Sequence, residues 1–470
     1  MFLSLPEDIH LTICAYLPPD ALLALKQTCR VLHAFGCMDY VWHQMRVDLP
    51  LDLPLNQKTN NLRADQIQPL VIKALRVERN WQGHPGRPRH LKRIQHDGVV
   101  NQMQTLGSKW LVTLSRSRGC ARLSVWSVDD AICYRTFKMQ DASKFSAALH
   151  SESSATIAVI EFDGSDREKL SIYSLSLLLT ESGTFNPSIC HSISRPRVYG
   201  TFFDVQVFEN LVATTIARFS DAISPPTFEI LFINTTTHAQ WLFSPQLPQE
   251  FERLRCKLFA DKIVLIGVER NCTVAVQAYS LLPMMFCASE KLSDCNAITP
   301  IPLTLETEDI GARTTEEAIR FPSGFDFHLS ANFTTKTSTN LPIIVFPAPL
   351  QAKGSGYMLD LPLGCIAAHT EVDRRLVQPF RTHPKASVDI ICVGATGHRA
   401  VWLQRRWDTD EFELMKVSFS DSRAPKVAAL LPRHLALPFE AHTCVSLAFD
   451  EATGRVCVGL HTGDLYILDF

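Results

Sequence analysis

The chain has 470 residues, of which 46% are hydrophobic and 20% are charged, and its formal net charge is −2. These proportions are those of a globular protein with a full core, and they exclude disorder along the whole chain. The near-neutral charge also argues against partners held by bulk charge, namely nucleic acids and membrane surfaces. The length allows about three ordinary domains, or one small domain joined to a large repeat array.

Cysteine usage and the N-terminal residues narrow the compartment. The 14 cysteines are scattered without a CxxC pair, which argues against a zinc site and suits a reducing environment. Glu7 and Asp8 lie where a secretory signal requires an apolar run. No stretch of about 18 uncharged apolar residues appears. We therefore expect a cytoplasmic or nuclear protein with no metal, no cofactor and no membrane contact.

Residues 1–48 have the pattern of three small helices. Ser4 and Glu7 fit a capping box at the start of the first helix, and Pro6 in its first turn costs no hydrogen bond. Four apolar residues then fall on one helical stripe: Ile9, Ile13, Tyr16 and Leu17.

Two prolines, Pro18 and Pro19, end this helix. A second helix is predicted from Leu22 to Leu32, with Asp20 as its cap and Gly36 as its stop. The third helix carries Val41, Trp42 and Met45.

Residues 49–95 are predicted to connect this region to the rest of the chain. Their main element is a helix over residues 64–81, followed by a loop rich in glycine and proline. Residues 76–93 contain six basic side chains and one acidic side chain, Glu78. Two interpretations remain open for this basic run: a site for an acidic or phosphorylated segment, which arginine binds through paired hydrogen bonds, or a solvated linker with a few surface salt bridges.

From residue 96 onward the pattern changes to short strands in hairpin pairs. The pairs begin near residues 110, 155, 211, 262, 388 and 455, and strand-like runs at 325–329 and 341–346 suggest one further unit. In each pair the first strand is almost entirely apolar, whereas the second alternates as an outer strand would. About seven units with a period of roughly 40 to 50 residues predict a β-propeller. Residues 296–324 resemble a long surface insertion.

The N-terminal pattern resembles an F-box, the motif by which substrate receptors bind the adaptor of cullin-type ubiquitin ligases. The positions that carry the resemblance are Leu5, Pro6, Ile9, Ile13, Leu17, Leu22, Leu25, Cys29, Arg30, Leu32 and Trp42. The helix after it is also similar to the connector of fungal F-box proteins that have a C-terminal propeller.

Residues 96–470 resemble WD-repeat propellers in a degenerate form. Val125-Trp126-Ser127 and Ile467-Leu468-Asp469 lie where those repeats carry Trp-Asp. Gly397-His398, the one internal Gly-His, lies in a hairpin turn rather than at the start of a unit. The two resemblances together imply a mainly β protein with a small helical F-box (1–48), a helical connector (49–95) and a roughly seven-bladed propeller (96–470).

The resemblance also implies a function. The F-box binds an adaptor, and through it a cullin complex, by placing helices against a partner groove. A unit of about 45 residues cannot bury so many large apolar side chains alone. The expected adaptor contacts are Leu5, Pro6, Ile9, Leu17, Leu22, Leu25, Arg30 and Leu32. Some of the apolar residues of this unit are expected to pack internally instead, and Ile13 and Cys29 are favoured as members of its core. The propeller would hold a target protein that the sequence does not identify.

Two other functions remain open: a propeller scaffold without a ligase role, and a propeller enzyme. The enzyme is disfavoured because no GxSxG, P-loop or paired carboxylate motif appears. His84, His90 and His96 are expected to be solvated loop histidines rather than metal ligands.

Overall fold

The structure of the protein is a computed structural model. It describes residues 5–45, 47, 49–55, 57–82, 85–117, 119–162, 167–177, 188–219, 226–245, 251–269, 274–282, 285, 301–303, 307–308, 325–330, 340–347, 354–362, 377–420, 423–432, 435 and 437–470. Most of the predicted insertion at 296–324 therefore lies outside the described residues, as does the capping residue Ser4.

The N-terminal unit contains four short helices rather than three: α1 (Glu7–Tyr16), α2 (Pro19–Leu25), α3 (Arg30–Phe35) and α4 (Asp39–Gln44). The predicted helix over 22–32 is wrong because the chain leaves the helical path between α2 and α3. There the Thr28 hydroxyl donates a hydrogen bond to the Leu25 carbonyl oxygen at 2.7 Å, and the backbone of Cys29 is extended. A side chain that bonds to the nearby backbone in this way competes with helix formation.

A 19-residue helix, α5 (Ala64–Gln82), follows the four short helices and agrees with the predicted connector helix. Side chains satisfy the backbone N–H groups at its start, one from α4 and one from its own first turn, as an N-terminus requires. The Asp39 carboxylate accepts a hydrogen bond from the Ala64 N–H at 2.6 Å, and the Gln66 side chain accepts one from the Arg63 N–H at 2.9 Å. Short 3-10 helices occupy Thr59–Asn61, Arg197–Tyr199 and Ala441–Thr443.

Seven sheets follow, and each forms one blade of a propeller. Blade 1 contains β2 (Val99–Leu106), β3 (Trp110–Ser117), β4 (Cys120–Ser127) and β5 (Ile132–Met139). Blade 2 contains β6 (Asp141–Ser151), β7 (Ser154–Phe162), β8 (Arg167–Ser176) and β9 (Ser188–Pro196). Blade 3 contains β10 (Thr201–Phe208), β11 (Leu211–Arg218), β12 (Thr227–Asn234) and β13 (Gln240–Phe243), with β17 (Ile301–Leu303) added in parallel.

The remaining blades repeat this order. Blade 4 contains β14 (Phe251–Leu258), β15 (Lys262–Glu269), β16 (Val274–Ser280) and β18 (Thr307–Glu308). Blade 5 contains β19 (Phe325–Leu329), β20 (Asn340–Pro347), β21 (Ser355–Pro362) and β22 (Val377–Arg381). Blade 6 contains β23 (Ala386–Val393), β24 (Arg399–Arg406), β25 (Phe412–Ser420) and β26 (Arg423–Ala429). Blade 7 contains β27 (Cys444–Asp450), β28 (Arg455–Leu460), β29 (Asp464–Asp469) and β1 (His90–Gln95).

The ring closes between the two ends of the propeller sequence. Strand β1 pairs antiparallel with β29, in register from His90 opposite Asp469 to Gln95 opposite Asp464. The first propeller strand therefore starts at His90, inside the segment that the sequence assigned to the connector, and not at residue 96.

The hairpin pairs seen in the sequence are mostly the two middle strands of a blade. In blade 1 they are β3 and β4, which are both largely buried, whereas the outer strand β5 is mostly exposed. The expectation that the second strand of each pair is the outer strand is therefore wrong. The expectation failed because the third strand of a blade, which has a polar strand on its outer side, shows the same alternation of apolar and polar residues as an edge strand.

Side chains on the innermost strands join one blade to the next. Gln104 of β2 accepts a hydrogen bond from the Ala147 N–H at 3.0 Å and donates to the Ala147 carbonyl oxygen at 2.9 Å. Gln102 makes the same pair of bonds with Phe145. Between blades 7 and 1, the Ser446 hydroxyl donates to the Val100 carbonyl oxygen at 2.7 Å. These buried bonds satisfy backbone groups that no strand partner reaches.

Helix α5 ends inside the propeller. The Trp81 ring is buried among residues of blades 6 and 7, stacks on Phe449 at 5.1 Å between ring centroids and meets Phe470 edge-on at 5.9 Å. Its indole N–H donates to the Val417 carbonyl oxygen at 3.1 Å. The Lys416 ammonium donates to the Asn80 carbonyl oxygen at the end of the same helix. Aromatic burial of this kind dominates the energy of a packing contact.

A buried arginine adds a polar link beside this ring. The Arg399 side chain is fully buried and donates to the Glu78 carboxylate of α5 at 2.5 Å and to the Glu451 carbonyl oxygen at 2.8 Å. The Glu451 carboxylate in turn accepts hydrogen bonds from the Arg399 and Thr396 N–H groups. A buried charge is tolerated only when it is paired and hydrogen-bonded in this way.

His96 is buried, contrary to the expectation of a solvated loop histidine. Its Nε2 lies 3.0 Å from the Thr113 hydroxyl, which also accepts a hydrogen bond from the Trp126 indole N–H at 3.0 Å. Burial lowers the pKa of His96, while the neighbouring Asp97 acts in the opposite direction. His96 therefore joins the start of blade 1 to its second and third strands. His90 is exposed on β1, and His84 lies outside the described residues.

Replacement of Trp81 tests the attachment of α5. We expect Trp81→Ala to lower the free energy of unfolding by about 3–5 kcal/mol, because it removes a buried aromatic ring and leaves a cavity. Trp407→Ala is the matched control, since Trp407 is 47% exposed, and it should cost less than about 1 kcal/mol. Urea unfolding followed by far-ultraviolet circular dichroism measures both, and equal losses would contradict the packing described for Trp81.

His96 also predicts a dependence of stability on pH. Because its folded-state pKa lies below the unfolded value of about 6.5, its contribution is present above pH 6.5 and is lost as the pH falls through the folded pKa. We expect His96→Gln to reduce the fall in unfolding free energy between pH 7 and pH 5. The exposed His461 provides the control variant His461→Gln, which should leave that slope unchanged. The same slope in wild type and His96→Gln would exclude this role.

Candidate functional site

Helix α1 has an apolar stripe on each of two faces. His10 and Cys14 are buried, and the His10 ring stacks on Phe35 at 5.1 Å between centroids. On another face Ile9 is 41% exposed and Tyr16, seven positions later, is 86% exposed. Residues seven apart lie two turns apart on the same side of a helix. Of the stripe seen in the sequence, Ile9 and Tyr16 face outward and Ile13 and Leu17 are half-buried, while the sequence pattern did not single out the two buried positions.

The eight residues expected to contact an adaptor separate into three groups. Leu5, Pro6, Ile9 and Arg30 are exposed. Leu17 and Leu25 are half-buried and pack at the edge of the core. Leu22 and Leu32 are buried in that core, at 0% and 5% exposure. Ile13 and Cys29, which were favoured as core members, are only half-buried.

Leu22 and Leu32 are buried because α5 completes the core of the N-terminal unit. This core includes Trp42, whose indole N–H donates to the Gly36 carbonyl oxygen at 2.8 Å, and the first half of α5 through Ile67 and Val71. The connector helix thus supplies apolar surface that the four short helices lack. In this arrangement Leu22 and Leu32 support the exposed side chains and do not form part of the surface.

Three exposed aromatic side chains lie at the end of the ring opposite α5. Helix α5 contacts blades 6 and 7 at the end where the first strand of a blade turns into the second, since Arg399 begins β24 and Glu451 follows β27. Tyr199 precedes β10, Phe219 follows β11, and Trp407 follows β24, and all three are exposed at the other end. This end is therefore unobstructed by the N-terminal unit.

The described residues offer little for catalysis. A cavity of about 470 Å³ is lined by Asp410, Glu411, Phe412, Ala441 and His442. Both of its carboxylates are in ion pairs, Asp410 with Arg405 at 2.8 Å and Glu411 with Arg406 at 3.2 Å. Within the described ranges, no three His, Cys, Asp or Glu side chains come together as metal ligands. No helix in the described part of the chain is long and apolar enough to cross a bilayer.

Comparison with known proteins identifies the N-terminal unit. Residues 2–48 match the family model described as F-box-like. No curated protein matches the sequence. A chain of the solved structure titled "Crystal Structure of Mitotic Checkpoint Complex" is 10% identical, with a TM-score of 0.42, and the alignment covers 82% of this chain and 94% of that chain. The family match and the seven sheets confirm the predicted architecture: the chain carries an F-box-like domain at its N-terminus, followed by a seven-bladed β-propeller.

Proposed function

We propose that this protein is a substrate-recognition subunit of a cullin-type (SCF) ubiquitin ligase. The F-box-like domain binds the adaptor subunit and the propeller holds a target protein. The chain itself performs no catalysis, because in such a complex a separate conjugating enzyme supplies the chemistry. The observation that carries the proposal is an exposed apolar surface on a domain whose family is F-box-like.

The adaptor surface is centred on α1. Ile9 and Tyr16 present one apolar stripe, and Leu5 and Pro6 extend it at the start of the helix. An apolar patch on so small a unit is typical of a partner site, and an amphipathic helix face is suited to a partner groove. We place Leu17, Leu25 and Arg30 at its border, with Leu22 and Leu32 as the support beneath.

The connection through α5 suits a receptor. Such a subunit accelerates ubiquitin transfer by holding the target near the conjugating enzyme, so the position of the target relative to the adaptor decides the effect. Helix α5 shares one core with the F-box-like domain and another with blades 6 and 7. The target protein would then bind at the opposite, unobstructed end of the propeller, near Tyr199, Phe219 and Trp407.

A charge within the exposed apolar stripe of α1 should weaken adaptor binding. We expect Ile9→Asp to weaken binding of the purified adaptor subunit by about tenfold or more, because a central apolar contact would be replaced by a charge that must be desolvated. Isothermal titration calorimetry with the full chain provides the measurement. The double variant Leu5→Ala with Leu17→Ala should weaken binding in the same direction.

The propeller offers a matched control. Ile132→Asp introduces the same change at an isoleucine that is 58% exposed on blade 1, and it should leave adaptor affinity unchanged. Thermal unfolding of all variants shows whether the fold is retained. Folded Ile9→Asp protein that binds the adaptor as tightly as wild type would refute the proposed surface.

A further inference from the structure

The basic run in residues 76–93 divides into two groups in the structure. Lys92 and Arg93 are occupied on blade 7: the Lys92 ammonium donates to the Asp129 carbonyl oxygen at 2.5 Å, and Arg93 pairs with Asp464 at 2.9 Å. The other group consists of Arg76, Arg79, Arg87 and Arg89. These four side chains are exposed, and among the residues that the structure describes none of them has an ion pair or a side-chain hydrogen bond.

We call this group the arginine cluster, and its backbone is held firmly. Arg76 and Arg79 lie three positions apart on α5, and so on the same side of a helix. The Asn80 side chain donates to the Arg87 carbonyl oxygen and accepts from the Arg87 N–H, both at 3.2 Å. This reciprocal pair joins the loop that carries Arg87 to the last turn of the helix.

The loop is also anchored to the propeller. The Arg89 N–H donates to the Asp469 carbonyl oxygen at 2.7 Å. Gly86 is buried so closely against the Phe470 ring that a Cβ added to it would lie 2.9 Å from a ring carbon. Trp81 holds the helix end from the other side. The arginine cluster therefore lies on backbone that is hydrogen-bonded to α5 and to the propeller, and not on a solvated linker.

Four arginines without ion pairs destabilise the isolated chain, because like charges repel one another and no acidic side chain among the described residues pairs with them. Three exposed arginines on the propeller have acidic partners: Arg116 pairs with Asp141, Arg218 with Glu229, and Arg405 with Asp410. A fixed group of guanidinium forks without carboxylates is complementary to carboxylate or phosphate oxygens, which it can bind in pairs.

From this complementarity we propose that the arginine cluster binds an acidic segment of a protein partner, at a site separate from the adaptor surface. The four arginines lie within 14 residues of sequence, from 76 to 89, which suits a short peptide. The near-neutral net charge of the chain, −2, is unlike that of the strongly basic domains that hold nucleic acid. Glutamate and phosphoserine side chains both present the oxygens that the cluster would bind.

Fluorescence anisotropy with the full chain tests the site. The probes are labelled octaglutamate, a peptide of the same length with alternating glycine and phosphoserine, and an eight-nucleotide thymidine strand. The site variant carries Arg76→Gln, Arg79→Gln, Arg87→Gln and Arg89→Gln. The control variant makes the same charge change at paired arginines: Arg93→Gln, Arg116→Gln, Arg218→Gln and Arg405→Gln.

We expect the site variant to bind at least one of the two acidic peptides about tenfold more weakly than wild type, and the control variant to bind it within about twofold of wild type. The site variant should also unfold at a temperature no lower than that of wild type and retain adaptor affinity, which separates this proposal from the proposed function. The stronger of the two peptide signals distinguishes carboxylate from phosphate. Equal peptide binding by the two variants, or tighter binding of the thymidine strand than of either peptide, would overturn the proposal.

Discussion

The structure depends on one helix that belongs to two cores. Ile67 and Val71, in the first half of α5, complete the core of the F-box-like domain, and Trp81 at its end is buried between blades 6 and 7. An α-helix rises about 1.5 Å per residue, so about 15 Å of helix separates Val71 in the first contact from Trp81 in the second. A rigid element of this kind transmits orientation, which a flexible linker does not.

The buried pair of Arg399 and Glu78 adds a geometric constraint to this attachment. Removing two charges from water costs several kcal/mol, so such a pair contributes little to stability compared with apolar side chains of the same size. It does require a defined geometry, because the Glu78 carboxylate must meet a guanidinium that Glu451 also holds. The pair therefore favours one placement of α5 on the propeller. For a receptor that acts by proximity, a single placement is the useful property.

The sequence predicted most of the elements but not the contacts between residues that are distant in the chain. Helix periodicity located α5, and paired apolar runs located seven blades, because these signals are local. The role of His96 was missed, since its partners Thr113 and Trp126 are distant in sequence. Ile9 and Leu22 are similar apolar residues in neighbouring helices, and the tertiary packing of the short helices and α5 decides that one is exposed and the other buried. The start of the propeller at His90 likewise depends on pairing with Asp469 across the whole chain.

Native-state hydrogen exchange provides the most direct test of the claim that α5 is part of both cores. If Trp81 and the helix end are integral to the propeller, the amides of Val77 and Trp81 should exchange as slowly as that of Val458 in the buried strand β28 and should respond to urea with the same slope. Fast, urea-independent exchange at Val77 and Trp81, with Val458 still protected, would show that the helix detaches while the propeller remains folded, and would contradict the account.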